Sequence, residues 1–462
     1  MNTNLLTLVL IAMLGTASAG TATAQAEPPA PAAAPALELG MIPAPHIFAP
    51  AGTMKSNIFL LSDAEGWNAT YDSQAKALSA KGALVVGIDL PSYIDALNKD
   101  EDDCIYMISD IESVAQQVQR SLGNGNYRSP VIAGSGAAGA LVLGMIAQSP
   151  PATIGEAIAV DPEAGITLSK QLCTPAAKQQ DGPRIIYGLT EGALPAPVTI
   201  HLSGSADAEG RKHAEALQAS HPEIDIEQAQ GSGAETLADV LAASIDAAGS
   251  DEATLGLPLT ILEAPPKLDT MAIVYSGDGG WRDIDSEVAA ALQADGVPVV
   301  GVDALRYFWS RKTPDETAAD LSRIIRTYRK QWNVSHVMLI GYSFGADILP
   351  STFNRLPPSD RSKVSLLSLL ALSHVADFEI SVSGWLGGQG NGDGGDPTEA
   401  LQSSDPKLVQ CVYGTEDDDD ACKGLASRGV EIIGIEGGHH FDEDYEKLAG
   451  YILQGLRSRL GK

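Results

Sequence analysis

The chain has 462 residues, 44% of them hydrophobic, and a formal net charge of −29 at pH 7. It is long enough for two or three domains with sizeable cores. The acid excess argues against nucleic acid as a partner, because phosphates reward Lys and Arg. It also disfavours tight docking on an anionic lipid surface, while permitting a cationic substrate.

Residues Leu5 to Leu14 are largely apolar and are followed by small residues. Ala17-Ser18-Ala19 and Ala24-Gln25-Ala26 both fit an A-x-A cleavage site, and the second is preferred because Glu27 and a Pro/Ala stretch follow. Residues 1–26 therefore read as a cleavable signal peptide, with a weak n-region that lacks Lys and Arg. The apolar run is too short to span a bilayer comfortably. The reading is an exported, soluble, periplasmic protein. Residues 27–45 form a Pro/Ala-rich linker.

The remainder repeats itself. Trp67 and Trp281 are separated by the same spacing as Asp89 and Asp303, within Val85-Val86-Gly87-Ile88-Asp89 and Val299-Val300-Gly301-Val302-Asp303. A slightly shorter spacing relates Gly134-Ser135-Gly136 to Gly341-Tyr342-Ser343. Two homologous α/β domains are expected, at 46–250 and 256–462, joined near residues 250–266. In the second, strands are predicted at 271–275, 297–302, 337–340, 364–372, 408–413 and 431–435, with a helix over 314–331. Short continuous apolar runs alternating with helical patterns indicate doubly wound parallel sheets of the α/β-hydrolase kind.

The chemistry lies in the second copy. Gly341-Tyr342-Ser343-Phe344-Gly345 joins an apolar strand to an apolar helix, the context that makes a G-x-S-x-G pentapeptide a nucleophile elbow. Ser343 then needs a base and an orienting acid later in the chain. After the strand ending at Gly414, Asp417 fits a Gly-x-x-Asp spacing and Asp419 also reaches inward; the two stay open. Gly437-Gly438-His439-His440-Phe441 supplies the base, His439 first and His440 second. Phe344 N–H and the loop Gly277-Asp278-Gly279-Gly280 are the oxyanion donors. Asp278, Asp283, Asp285 and Asp347 are candidate carboxylates near these motifs. No Cys/His spacing resembles a metal site, and no cofactor is expected. The first copy carries Gly136 in place of Ser343 and Gly231-Ser232-Gly233 in place of the histidine segment, so it is expected to be degenerate. It keeps only an acid-like Asp207.

The segments 275–283, 341–350, 354–357, 382–386 and 437–441, with the Cys411–Cys422 loop, resemble the AcvB/VirJ family of exported bacterial proteins. The extra amino-terminal copy is similar to the longer, AcvB-like members. In that family the loop glycine is followed by a Glu three residues on and an Asp five residues on, the places of Asp417 and Asp419 here. The resemblance implies a periplasmic serine hydrolase that cleaves the aminoacyl ester of lysyl-phosphatidylglycerol, an aminoacylated phospholipid, and a link to virulence and to type IV secretion substrates. The competing readings are a general carboxylesterase or lipase, and a non-enzymatic secretion-accessory scaffold. A disulfide between Cys411 and Cys422 is expected, the pairing of Cys104 and Cys173 is open, and the glycine-rich insert 387–396 is expected to be a surface loop.

Overall fold

In a computed structural model of the protein, sixteen strands among the described residues, with the helices between them, form two seven-stranded sheets and one hairpin. The structure describes residues 37–123, 125–248, 254–380 and 392–461. Residues 37–461 belong to a single compact unit. The predicted signal peptide, most of the predicted linker and residues 381–391, which hold half of the predicted insert, lie outside the described residues.

In the first half the strands are β1 (His46–Phe48), β2 (Ser56–Leu61), β3 (Ala83–Ile88), β4 (Pro130–Ser135), β5 (Glu156–Val160), β6 (Lys178–Asp181), β7 (Arg184–Tyr187), β8 (Val198–Leu202) and β9 (Asp225–Gln228). In the second they are β10 (Leu259–Leu262), β11 (Thr270–Tyr275), β12 (Val299–Val302), β13 (His336–Tyr342), β14 (Val364–Leu370), β15 (Val409–Gly414) and β16 (Glu431–Ile435). The sheet orders are β1-β3-β2-β4-β5-β8-β9 and β10-β12-β11-β13-β14-β15-β16. They are the same order, with the β6–β7 hairpin inserted in the first. Every pairing within the two sheets is parallel except the edge strands β1 and β10, which run antiparallel to β3 and β12. The predicted strands agree with the observed ones to within two residues. The exception is β10, which falls inside the stretch read as a connection. Its four residues Leu-Thr-Ile-Leu are only half-buried, so it lacks the dense apolar signal of a central strand.

Buried apolar strands need helices on both faces. In the second half, Leu321, Ile324 and Ile325 of the helix Pro314–Trp332 and Ile348 and Leu349 of Phe344–Arg355 form one core. Val288 and Leu292 of Ile284–Ala294 and Leu448 and Ile452 of Tyr445–Leu460 form the core on the other face. Pro314–Trp332 starts where the sequence says it should: Thr313 and Glu316 make a reciprocal capping box, and Pro314 needs no N–H donor at that position.

The repeat extends to single residues. Trp67 abuts Gly87 and Trp281 abuts Gly301, each so close that a Cβ on the glycine would meet the indole at 2.1 and 2.3 Å. Asp89 and Asp303 each begin the helix after the strand. Ser62 and Ser276 each accept the N–H of the residue that follows that aspartate. Left-handed backbone recurs at Gly66 and Gly280, Gly82 and Gly296, Gly136 and Ser343, and Gly231 and Gly437. Two disulfides close, Cys104–Cys173 and Cys411–Cys422.

Candidate active site

Ser343 sits between β13 and the helix Phe344–Arg355 with φ 49° and ψ −117°. A non-glycine residue in that conformation is strained, and such strain is held only where the surroundings enforce it. Here the two flanking glycines enforce it. A Cβ on Gly341 would stand 2.4 Å from the Gly345 carbonyl oxygen, and one on Gly345 would stand 2.2 Å from the Tyr275 carbonyl oxygen. The helix therefore starts tight against β11 and β13, and the serine side chain is lifted above the sheet edge. Gly136 has the same backbone, φ 58° and ψ −121°, with no side chain to lift.

Two loops close over that edge. Thr415 N–H donates to Ile435 O at 2.7 Å, and Glu416 N–H to Gly437 O at 2.9 Å, so the loop after β15 is zipped to the loop after β16. The result brings three distant side chains together. His439 Nε2 lies 2.9 Å from Ser343 Oγ, and His439 Nδ1 lies 2.8 Å from Asp417 Oδ2. The Asp417 side chain is 12% exposed and that of His439 is 44% exposed. A partly covered carboxylate thus orients a solvent-reachable imidazole toward a hydroxyl.

Two of the predicted alternatives are corrected. Asp419 is exposed, and its N–H donates to Asp417 Oδ1 at 3.2 Å, so it supports the acid loop and does not reach the histidine. Asp420 accepts the Cys422 N–H at 2.9 Å. His440 is not turned to the serine either: its Nδ1 lies 3.0 Å from the Tyr342 hydroxyl. In the first half, Asp207 caps the helix Ala208–Ser220 and so serves structure.

The Gly277–Gly280 turn is more selective than its glycines suggest. Gly277 N–H donates to Asp285 Oδ2 at 3.3 Å, and Gly280 N–H to the Gly277 carbonyl at 3.1 Å. Those two amides are committed to the turn. The N–H groups of Asp278 and Gly279 remain as the loop's candidate oxyanion donors, together with Phe344 N–H in the first turn of its helix, where no intrahelical acceptor exists.

The four candidate carboxylates separate by environment. Asp278 and Asp283 are exposed. Asp285 is buried under Gly277, and desolvation raises its pKa well above the usual range, so it braces the turn and does not line an open pocket. Asp347 is buried one helical turn after Ser343 and accepts from Ser373 N–H and Oγ at 2.8 and 3.0 Å. Burial pushes its pKa up to about 7, with Asp377 and Asp278 adding to the rise.

Tyr342 was not singled out from the sequence. Its ring packs on Gly277, where a Cβ would stand 3.2 Å away, and its hydroxyl reaches His440 and, at 3.4 Å, the His439 carbonyl. It connects the Gly277–Gly280 turn to the loop that carries His439 and His440. The variable position of the pentapeptide carries no motif signal, so only contact reveals it. Among the described residues, no group of three or more His, Cys, Asp or Glu could hold a metal ion, and no helix is long and apolar enough to cross a membrane.

The sheet order and the strand–serine–helix turn place this half in the α/β-hydrolase fold class. Residues 269–460 match the family model described as bacterial virulence protein (VirJ). No curated protein matches the chain. Among solved structures, Est1E from Butyrivibrio proteoclasticus is 14% identical over 46% of this chain and 98% of its own, with a TM-score of 0.33. A thioesterase domain from the curacin biosynthetic pathway is 18% identical over 42% of this chain and 94% of its own, TM-score 0.30. The esterase domain of a Rhodothermus marinus protein is 12% identical over 43% and 90%, TM-score 0.28. Likenesses this distant do not define the chemistry of the present site.

Proposed function

We propose that the second half is a serine ester hydrolase, that the protein is exported to the periplasm, and that its substrate is the aminoacyl ester of lysyl-phosphatidylglycerol. The observation that carries the enzymatic reading is the continuous Ser343–His439–Asp417 hydrogen-bonded line, at 2.9 and 2.8 Å. An alcohol at its ordinary pKa is a poor nucleophile and needs a base within hydrogen-bond reach.

In this mechanism His439 Nε2 accepts the Ser343 proton as Oγ attacks the ester carbonyl carbon. The tetrahedral oxyanion takes hydrogen bonds from Phe344 N–H and from the Asp278 and Gly279 amides. Its collapse breaks the ester C–O bond, and His439 returns the proton to the departing glycerol oxygen. Water then attacks the acyl-enzyme, with His439 accepting its proton and passing it back to Ser343 Oγ, which releases the amino acid. Asp417 keeps the Nδ1–H tautomer and stabilises the imidazolium. The lysyl preference rests on the family resemblance and on Asp278, a carboxylate exposed on the Gly277–Gly280 turn. The two disulfides suit an oxidising compartment.

Ser343→Ala and the parent chain are to be compared on lysyl-phosphatidylglycerol and on neutral and anionic esters. The proposal expects turnover of the lysyl lipid to vanish in the variant and to exceed that of the other esters in the parent. Equal parent rates across the panel would leave a general esterase. Undiminished turnover in the variant would end the serine reading.

A further inference from the structure

The first half carries Gly136 where the second carries Ser343, yet it reaches the second half beside the oxyanion turn. Arg282 leaves that turn and crosses over. Its Nη1 lies 2.8 Å from Thr153 Oγ1 and 3.2 and 3.5 Å from the two Glu112 carboxylate oxygens. Glu112 and Thr153 are both buried. A buried carboxylate without its cation, or a buried hydroxyl without a partner, is costly, so these contacts hold the guanidinium in one place. The same guanidinium lies against Gly279, where a Cβ would stand 2.7 Å from Nη2 and 2.8 Å from Nε. The backbone of Gly279, one of the two uncommitted amides of the turn, is thus bounded by a side chain anchored in the other half.

A second line leads to the other donor. The Arg120 guanidinium stacks 3.8 Å over the Trp309 ring and donates to the Trp309 and Ile380 carbonyls. The Tyr127 ring is 4.8 Å from Trp309 and buried in the core of the second half. The neighbouring Phe308 packs edge-on against Phe344 at 5.0 Å between centroids. Phe344 directly follows Ser343 at the start of its helix and supplies the third of the proposed oxyanion N–H groups.

We infer that the first half is a built-in scaffold for the second half's oxyanion site: Glu112 and Thr153, acting through Arg282, are positioning residues for Gly279, and Arg120 and Tyr127, acting through Trp309 and Phe308, brace Phe344. The inference rests on the serine-hydrolase reading and gives the non-nucleophilic copy a role within it. Oxyanion donors act only at the right distance, and a displacement of about 1 Å costs up to roughly a hundredfold in rate. An interface that served adhesion alone would have no need to thread a charged side chain past the turn.

The test uses the full chain with p-nitrophenyl acetate as probe, reading kcat and KM separately, with thermal melts alongside. Glu112→Ala and Thr153→Val are expected to lower kcat by roughly tenfold or more, with KM changed by less than about twofold. Glu112→Gln retains an acceptor oxygen for Arg282 and is expected to recover most of the loss. If Glu112→Ala does not fold, Thr153→Val, which is nearly isosteric, decides alone. A kcat within about twofold of the parent in Thr153→Val, with turnover still abolished by Ser343→Ala, overturns the scaffold and leaves the hydrolase intact. Turnover that survives Ser343→Ala removes the hydrolase, and the scaffold with it.

Discussion

Gly414 and Gly438 are in backbone contact: a Cβ on Gly414 would stand 2.0 Å from the Gly438 carbonyl oxygen and 2.6 Å from that of Gly437. Gly414 ends β15 just before the acid loop, and Gly438 precedes His439. This crossing sets the distance between Asp417 and the imidazole. Gly414→Ala is expected to push the histidine segment away and lower kcat by roughly a hundredfold. A parallel fall in the rate at which a fluorophosphonate labels Ser343, mapped by peptide mass, checks it.

Asp417 and Asp419 should separate cleanly. Asp417→Asn removes the acceptor that fixes the His439 tautomer and is expected to lower kcat by about 10³- to 10⁴-fold. Asp419→Asn, at an exposed position, should stay within about twofold. Steady-state ester hydrolysis by both variants decides. Equal losses would contradict the geometry.

His439→Ala should abolish turnover, whereas Tyr342→Phe and His440→Ala remove a support for the histidine loop and no reacting group. Their losses are expected to be about tenfold or less. The comparison is made on kcat at one pH, with thermal melts to show that each variant is folded.

Asp347 gives a pH dependence to stability. Its carboxyl is raised to about 7 in the folded protein from 3.8. Between these values the folded state binds the proton and the unfolded state does not. Stability from this group is therefore present below about pH 4, falls as pH rises to about 7, and is level above that, by at most about 4 kcal/mol. Asp347→Asn mimics the neutral form. The difference in Tm between the parent and this variant should widen in the variant's favour from pH 4 to 8. A difference that does not change with pH would show that Asp347 does not hold a proton there.

The Cys411–Cys422 disulfide ties the end of the acid loop to the buried strand β15. Replacing both cysteines with Ala is expected to cost roughly 2–5 kcal/mol. Melts of the parent and of this variant, with and without reductant, measure it.

Much of the architecture was legible in the residues alone. Periodic apolar runs marked the strands, and the recurrence of Trp67 at Trp281 and of Asp89 at Asp303 exposed the duplication. These signals are local: a strand buried on both faces must be apolar throughout, and an elbow needs small residues around its serine. The edge strand β10 was missed because half-burial weakens that signal.

The local pattern ranked His439 before His440 but left Asp417 and Asp419 open, because the choice of acid was not local. Adjacent residues of a loop have the same composition and spacing within one or two positions, and only the crossing of Gly414 under Gly438 decides which side chain turns inward. The committed amides of Gly277 and Gly280, the bridge made by Tyr342 and the span from Glu112 to Arg282 likewise join residues far apart in the chain. By itself the sequence determined two sheets of one kind and a single copy equipped with a serine, an imidazole and a choice of acids. Tertiary packing decided which of these groups meet and from where they are held, because hydrogen bonds select on distance and direction that exist only after the loops have closed.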